Sequence, residues 1–351
     1  MSLLLEQVQI TEQEQVVNFL EEMFHAPPDA LFLESDNVRW RYFDPRPDWI
    51  GSRSYVFRDE GQIVAHGCVV PDTYVRPNGE VIKGLFIIDW AARPTYPGYG
   101  LLLAREIGAL ADLRLGYGGS ADARALVDKA LSAKTRASSK ERAIGEMWGF
   151  DRAIRPLAFL RDRSIPAWRA WARAGRAFYR NAMNPLKSVS AWKTRPVERF
   201  DPSPAATSPH ASECGLILPF RSNELLNYML DCPSVRFKGF LLEKEGVPRG
   251  HLLLAGRDSE VRVADLVIDS NHIEDWIACY CLAASAARKE FSSASRLRVA
   301  APLDFQKKAL LHIGFSEESR AQIFAQGRKS ILTEGELPLL NMMDNDAAYL
   351  F

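Results

Sequence analysis

The stretch that decides the fold runs from Leu85 to Leu110, with the sequence LFIIDWAARPTYPGYGLLLAREIGAL. It begins with LFIIDW, a mainly apolar run typical of a strand that is buried on both faces. Proline and glycine then dominate the segment from Ala91 to Gly100, which predicts a loop. Apolar residues recur at helical spacing from Leu101 to about Leu113, so we predict strand, loop and helix in that order.

Similar elements are predicted on either side of this stretch. An amphipathic helix is predicted from Thr11 to His25, with Thr11 as its N-cap and Glu14 completing a capping box. A hairpin is predicted around the Glu60-Gly61 turn. The other predictions here are a helical end at Arg39–Pro45, hairpin strands at Arg53–Arg58 and Gln62–Val70, a strand at Leu113–Tyr117, a Gly118-Gly119 turn, an exposed helix at Asp128–Arg142 and a closing Gly149-Phe150 pair.

The second half of the chain repeats this order. Its predicted elements are a helix at Asn223–Leu230, strands at Phe237–Lys244, Pro248–Ala255 and Glu260–Ile268, a helix at Trp276–Phe291, a strand at Arg296–Ala300, a helix at Phe305–His312 and a Gly314-Phe315 pair. The hairpin glycines Gly61 and Gly246 lie 185 residues apart (246 − 61), and the Gly-Phe pairs lie 165 apart (314 − 149). The two offsets differ by about one insertion, which we assign to Asp128–Arg142. The shared order of elements in the two halves predicts a duplicated fold.

The fold class is therefore predicted to be α/β, with a mixed sheet flanked by helices in each of two tandem domains. We predict a first domain at residues 1–164, a helical connector at 165–195 and a second domain at 196–351, with a loop at Ser203–Ser208. After Ile268 the second domain continues Asp269-Ser270-Asn271-His272, so it lacks the glycine-rich loop of the first.

The bulk composition narrows the class of protein. Among 351 residues, Lys+Arg and Asp+Glu are equal at 44 each, which argues against a DNA-binding protein because phosphate contacts favour a basic surplus. We expect no signal peptide and no membrane span. The cysteines are few, odd in number and scattered, and Cys279 and Cys281 are a poor metal-binding pair. We therefore expect reduced thiols, a cytoplasmic protein and no metal site.

The strand, loop and helix at Leu85–Leu110 resemble those of the GCN5-related N-acetyltransferase superfamily. In that family a buried strand ends in a loop of the form Arg/Gln-x-x-Gly-x-Gly/Ala, and the next helix presents its N-terminal amides to the pyrophosphate of acyl-coenzyme A. Four residues of this chain match an HPxYxGxG stretch of the family: Pro94, Tyr96, Gly98 and Gly100. Two depart from it: Pro97 replaces the usual Arg or Gln, and Leu102 replaces a small residue.

This resemblance implies a set of site residues. The donor, acetyl-CoA or another acyl-CoA, is expected to contact six residues: Trp90, Ala91, Gly98, Tyr99, Gly100 and Leu101. Asp89 is expected to act as the base, or alternatively to pair with an arginine. Tyr96 and Tyr117 are expected to protonate the leaving thiolate, or else to be packed aromatics. Trp40 and Tyr42 are expected to line the acceptor pocket, or to pack the second helix.

For several other polar residues, a structural role is the first expectation. Asp265 lies in an apolar strand and needs a partner, for which Arg249 is one candidate. His66 and His251 lie within predicted strands and are expected to pack or to face solvent. The arginines and tryptophans of Arg161–Arg180 suggest an exposed amphipathic helix or, alternatively, a surface for an anionic acceptor. The tail Asn341–Asp346 resembles the endings of tandem acyltransferase-like proteins.

The resemblance implies an acyl-CoA-dependent N-acyltransferase that acts on a small amine or an amino sugar. The departures at Pro97 and Leu102 keep open a catalytically inert binding or scaffold protein. A third interpretation is a Fem-like transferase with an aminoacyl-tRNA donor, against which the balanced charge argues. The oligomeric state is left open.

Overall fold

The computed structural model describes residues 4–27, 29–117, 141–161, 166–186, 191–201, 215–327, 331–333 and 335–349. The predicted Gly118-Gly119 turn, most of the predicted helix Asp128–Arg142 and the predicted loop Ser203–Ser208 lie outside these residues. Glu141 and Arg142 are described, and they begin a strand, so the predicted helix is wrong at its end. Within the described ranges, no helix is long and apolar enough to cross a membrane.

The first half of the chain builds its elements around the central strand. In chain order they are β1 (Glu6–Gln7), a 3-10 turn (Ile10–Glu12), α1 (Gln13–Phe24), a 3-10 turn (Leu31–Leu33), α2 (Ser35–Val38), a π-helical turn (Arg39–Phe43), β2 (Ser54–Asp59), β3 (Gln62–Val75), β4 (Val81–Ala92), α3 (Tyr99–Gly108), β5 (Leu113–Tyr117) and β6 (Glu141–Ala153). The predicted capping of the first helix is wrong. Glu12 accepts a hydrogen bond from the Gln9 N–H at 3.0 Å, and Thr11 lies inside the 3-10 turn.

The second half follows through a helix and an unpredicted strand. Its elements are a 3-10 helix (Pro156–Arg161), α4 (Ala167–Met183), β7 (Trp192–Val197), β8 (Leu218–Pro219), α5 (Asn223–Leu230), β9 (Arg236–Lys244), β10 (Val247–Arg257), β11 (Glu260–Ile268), α6 (Ile273–Glu290), β12 (Arg296–Ala301), α7 (Asp304–His312), β13 (Ser316–Gly327) and 3-10 turns at Met342–Asp344 and Asp346–Ala348. The predicted elements from α5 to α7 are confirmed to within a few residues, whereas β7 and β13 were not predicted.

All these strands join one mixed sheet, which confirms the predicted α/β class. Its order is β1-β2-β3-β4-β5-β13-β6-β12-β11-β10-β9-β7, with β8 paired to β3. Each half contributes a pair of parallel strands, β4 with β5 and β11 with β12, among otherwise antiparallel neighbours.

The last strands of the two halves are exchanged in the middle of the sheet. β13 pairs with β5 of the first half, and β6 pairs with β12 of the second half. Gly149-Phe150 lies within β6 and Gly314-Phe315 directly precedes β13, so the two Gly-Phe pairs mark shared strands rather than the ends of separate units. The predicted limits of the two domains and the connector remain predictions.

Both faces of β4 are covered, as its apolar sequence predicts. Leu85 packs on one face with Leu103 and Ile107 of α3. Phe86 and Ile88 pack on the other face in the cluster that also contains apolar residues of α1 and α2. The alternation along β4 thus places α3 and its preceding loop on one face, and the π-helical turn on the other.

The π-helical turn is held by a buried arginine that joins the halves. Arg53 donates hydrogen bonds to the carbonyl oxygens of Trp40, Arg41 and Asp44, at 2.6, 2.7 and 2.8 Å. These carbonyls lie at the end of the turn, where they have no helical partner. Arg53 also donates to the Tyr228 hydroxyl of the second half at 2.9 Å.

Candidate functional site

The candidate donor site begins where β4 and β5 separate. The two strands pair only from Gly84 to Phe86 on β4 and from Leu113 to Leu115 on β5. From Ile87 onward, β4 continues to Ala92 without pairing to β5. The separation leaves one backbone edge of β4 unpaired by β5, directly before the loop that leads into α3.

The N-terminus of α3 offers two free amides. Gly98 is the N-cap with φ +87°, a left-handed conformation that favours glycine. The N–H of Tyr99 donates to the Tyr96 carbonyl at 3.2 Å, and that of Leu102 donates to the Gly98 carbonyl at 3.0 Å. Between them, the N–H groups of Gly100 and Leu101 donate to no acceptor among the described residues. Such groups, at the positive end of a helix, suit an anion.

Trp90 contacts the first turn of α3. Its indole Nε1 donates to the Gly100 carbonyl at 2.8 Å. A Cβ at Gly100 would lie 3.3 Å from the Ala92 Cβ and 3.4 Å from the Trp90 Nε1, so glycine permits this close approach. The side chain of Ala91, which was predicted with Trp90 to contact the cofactor, packs in the cluster on the opposite face of the sheet.

The two residues that depart from the family loop differ in their surroundings. Pro97 is exposed at the surface of the loop. Leu102 is half-buried and packs against the cluster that contains Leu85 and Leu103. The Leu102 side chain therefore contributes to the packing of α3 on the sheet.

Asp89 lies in a β-bulge on β4 with a left-handed backbone. Its φ is +48°, which is uncommon outside glycine and strained unless the surroundings hold it. The Arg41 guanidinium and the Tyr42 hydroxyl both donate to the Asp89 Oδ2, the latter at 2.5 Å. Oδ1 accepts no hydrogen bond from the described residues. Asp89 is therefore paired with an arginine through one oxygen and has the second available.

His66 fixes the backbone of this bulge. Its Nδ1 lies 2.9 Å from the Asp89 carbonyl oxygen and its Nε2 lies 2.9 Å from the Ser54 Oγ. A carbonyl only accepts, so Nδ1 carries the proton and Nε2 accepts from the serine hydroxyl. Burial lowers the pKa of His66 to about 4, and the imidazole is neutral at physiological pH.

The neutral His66 makes stability depend on pH. The folded pKa of about 4 lies below the unfolded value of about 6.5, so the unfolded chain binds the extra proton in this window. We expect His66 to cost about 3 kcal/mol of stability as the pH falls from 7 to 4. The pKa values of Asp151 and Asp346 are raised to about 6, which acts in the opposite direction, so the test is a difference between variants.

That difference is measured by urea unfolding of the wild type and of His66→Gln at pH 7 and pH 4. We expect the wild type to lose more stability between the two pH values than His66→Gln does. His312→Gln, at an exposed position, serves as the control and should follow the wild type. Equal losses in all three proteins would contradict the neutral, buried state of His66.

Tyr96, Tyr99 and Tyr117 make no hydrogen bond to Asp89, whose described partners are Arg41 and Tyr42. Tyr96 donates its hydroxyl proton to the Asp59 carboxylate at 2.8 Å, at the end of β2. Tyr99 packs with its ring edge-on to Phe57. Tyr117, at the end of β5, is half-buried and donates to the Asn341 carbonyl at 3.3 Å. Burial raises the pKa of Tyr117 well above its usual value, so its phenol keeps its proton.

Trp40 and Tyr42, both predicted to line the acceptor pocket, have different surroundings. Tyr42 is buried against Asp89, as described above. Trp40 is 5% exposed and stacks on Tyr228 with ring centroids 4.8 Å apart and an interplanar angle of 10°. Tyr349 meets the Trp40 ring edge-on. Trp40 therefore packs against the second half, and the structure does not bring it to Asp89.

A second buried cluster repeats the arrangement in the other half. Asp265 accepts from His251 at 2.8 Å and from Arg221 at 3.1 Å. The prediction of Arg249 as its partner is wrong, because Arg249 pairs with Asp269 at 2.9 Å. Arg221 also donates to two further buried carboxylates, those of Asp72 and Asp344. Arg221 lowers the pKa of Asp265 against the opposing effect of burial, whereas burial, followed by the charge of Asp72, raises that of Asp344.

The spacing of two histidines in the sequence also indicates this repeat, although the comparison of glycines and Gly-Phe pairs did not include it. His66 and His251 lie 185 residues apart (251 − 66), the same offset as the hairpin glycines. Each half thus places a histidine on the second hairpin strand, beside an aspartate on the next strand that is bound by an arginine: Asp89 with Arg41, and Asp265 with Arg221.

In the second half, the chain's own tail covers the separating strand. β11 pairs with β12 only from Glu260 to Arg262. The side chain of Arg262, the last paired residue, donates to the Ala347 carbonyl at 2.6 Å, and farther along the Leu266 N–H donates to the Asn341 Oδ1 at 3.4 Å. The two halves therefore differ: a tail segment binds β11, whereas the helix start beside β4 presents free amides. No metal-binding cluster occurs within the described ranges.

Comparison with known proteins identifies the fold. No protein-family model matches the chain, and no curated protein matches its sequence. Among solved structures, N-myristoyltransferase from Saccharomyces cerevisiae with bound myristoyl-CoA has a TM-score of 0.57 and 13% identity, over 98% of this chain and 87% of that one. A GCN5-related N-acetyltransferase from Anabaena variabilis ATCC 29413 has a TM-score of 0.56 and 11% identity, over 93% and 73%.

A protein of unknown function from Enterococcus faecalis V583, described as a probable N-acyltransferase, also matches, with a TM-score of 0.55 and 11% identity over 93% of this chain and 72% of that one. At these identities the likeness establishes the fold and not the activity. The chain therefore has the fold of the GCN5-related N-acetyltransferases, as its Leu85–Leu110 stretch predicted.

Proposed function

We propose that this protein is an acyl-CoA-dependent N-acyltransferase. The observation that carries the proposal is the pair of free N–H groups, of Gly100 and Leu101, at a helix start beside the separated end of β4. A pyrophosphate bound there would place the rest of the donor along the unpaired edge of β4, toward Asp89. The structural neighbours support the donor class, since one of them contains bound myristoyl-CoA.

Asp89 is proposed to receive the proton that the attacking amine must lose. Its Oδ1 is available, while Arg41 and Tyr42 hold its Oδ2 and so fix the carboxylate. The amine nitrogen forms a bond to the thioester carbonyl, the carbon–sulfur bond breaks, and the thiolate takes a proton. Both candidate tyrosines already donate a hydrogen bond, but that of Tyr117 to the Asn341 carbonyl is longer, at 3.3 Å, than that of Tyr96 to Asp59, at 2.8 Å. Tyr117 is therefore the better candidate for that proton.

An inert binding protein of the same fold is the second candidate. The observation that favours it is that the Asp89 side chain is only 8% exposed and already ion-paired with Arg41. A buried carboxylate held in this way also fits a purely structural role, in which Asp89 fixes the π-helical turn through Arg41 and Tyr42. The two candidates share acyl-CoA binding and differ in whether any transfer follows.

A transfer assay separates the two candidates. The protein is incubated with acetyl-CoA or myristoyl-CoA and a panel of small amines and amino sugars, and products are followed by mass spectrometry and by release of free CoA. We expect an acylated amine with one donor chain length, and no product from the matching hydroxyl compounds. Binding of the thioester with no acceptor-dependent release of CoA would favour the inert protein.

A further inference from the structure

The helix α4 presents a large apolar surface that is not used in the fold. Five large side chains on it are between 63% and 68% exposed: Trp168, Trp171, Phe178, Tyr179 and Met183. Leu157, in the 3-10 helix that packs against α4, is 64% exposed as well. Apolar side chains concentrated in this way mark an interaction surface rather than ordinary surface scatter.

The residues of α4 are sorted into three stripes. Ala170 and Ala174 are buried and attach the helix to the body of the protein. At 3.6 residues per turn, the five large apolar side chains fall in a sector of about 140° on a different side. Four arginines occupy the narrow sector between these two stripes. Arg169, Arg173 and Arg176 are exposed, whereas Arg180 is half-buried and donates to the Ser316 hydroxyl at 2.5 Å. The helix therefore shows solvent an aromatic face with a cationic border.

The charge of this region is one-sided. No acidic residue occurs between residues 163 and 197, although the whole chain has a formal net charge of +0. Trp and Tyr side chains favour the boundary between water and lipid, and arginines beside them favour anionic headgroups. An antiparallel isologous contact between two copies of this helix would bring the two arginine borders together, which argues against such a pair as the partner.

We propose that α4 is an interfacial helix that docks the protein on an anionic membrane surface. The aromatic face enters the headgroup region while the arginines bind lipid phosphates, and the helix lies in the plane of the surface. β6 precedes α4 in the chain. β6 runs parallel to β5, because β13 lies between them and is antiparallel to both. β4 is also parallel to β5, so α4 and the Gly98 loop both come after strands that end at the same end of the sheet. The proposal does not depend on acyl-CoA binding.

Cosedimentation with lipid vesicles tests this docking. We expect the wild type to bind vesicles of equimolar phosphatidylcholine and phosphatidylglycerol, and to bind phosphatidylcholine alone much more weakly. Replacing Trp168 and Trp171 together with serine should lower the partition coefficient by at least about tenfold. Arg169→Gln with Arg173→Gln should lower it by about 25-fold, and added salt should have a similar effect.

The matched controls lie outside the helix. Ile50→Ser removes an apolar side chain of a residue that is 96% exposed, and Arg195→Gln removes a charge from a side chain that is 55% exposed. Both should bind vesicles as the wild type does. Absence of wild-type binding, or equal binding by all variants, would overturn the proposal. So would a wild-type dimer that the Trp variant converts to a monomer without any vesicle binding, since the surface would then join two copies.

Discussion

Replacing Arg221 with leucine is expected to destabilise the fold by at least about 3–5 kcal/mol, because it leaves buried carboxylates without their counter-charge. Arg221 is 2% exposed and binds Asp72, Asp265 and Asp344 together. Total stabilities are commonly about 5–15 kcal/mol, so this single change can leave a large unfolded fraction. Urea unfolding at pH 7 measures the loss.

Two further variants define what the loss means. Arg199→Leu breaks an exposed pair with Asp231, whose side chains are 58% and 55% exposed, and should cost no more than about 1 kcal/mol. Arg221→Lys keeps the charge but cannot present three donors in one plane, so an intermediate loss is expected. Equal stabilities of Arg221→Leu and Arg199→Leu would contradict the role of Arg221 as the shared partner of three carboxylates.

Replacing Asp89 with asparagine is expected to lower kcat/KM for amine acylation by about 10²–10⁴-fold, the range for loss of a general base. Asparagine tolerates the left-handed backbone at this position, so the bulge should persist. Stability also falls, because Arg41 loses its ion-pair partner, although Asp346 remains near it. Activity is therefore compared at a temperature at which both proteins are folded by circular dichroism.

Asp258→Asn is the matched control for this experiment. Asp258 also has a left-handed backbone, with φ +51°, and its side chain is 88% exposed beside Arg257. The same chemical change there should leave kcat/KM unaltered. An Asp89→Asn enzyme with wild-type kcat/KM and the same pH profile would show that Asp89 only pairs with Arg41 and takes no part in proton transfer.

The elements that sequence predicted are those with strong local patterns. The apolar run of β4, the glycine hairpins and the helices α5 to α7 each carry their own periodicity, and the structure confirms them. β13 (SEESRAQIFAQG) was not predicted because its first part is charged and exposed, and only Ile323 and Ala325 near its end are buried. Its place in the sheet comes from pairing with β5 and β6, strands of the other half.

The buried ionic clusters could not be predicted from local sequence patterns either, because their members come from distant parts of the chain. Arg221 and Asp72 meet across 149 residues of sequence, and Arg41 and Asp89 meet across 48. Asp89 was predicted as a site residue from its position on β4, but its partners depended on how the π-helical turn packs. His66 and His251 were expected to pack or to face solvent. Their burial and their contacts with Asp89 and Asp265 depended on the fold.

Calorimetric titration of the protein with acetyl-CoA and myristoyl-CoA tests the central claim, an acyl-CoA site at the start of α3, most directly. Gly98→Val is compared with Gly79→Val, since both glycines have a left-handed φ, +87° and +83°, and no atom within 4 Å of an added Cβ. The account predicts saturable binding that Gly98→Val weakens by about tenfold or more while Gly79→Val does not. No saturable binding of either thioester at near-millimolar concentration, or equal affinity of the two variants, would contradict it.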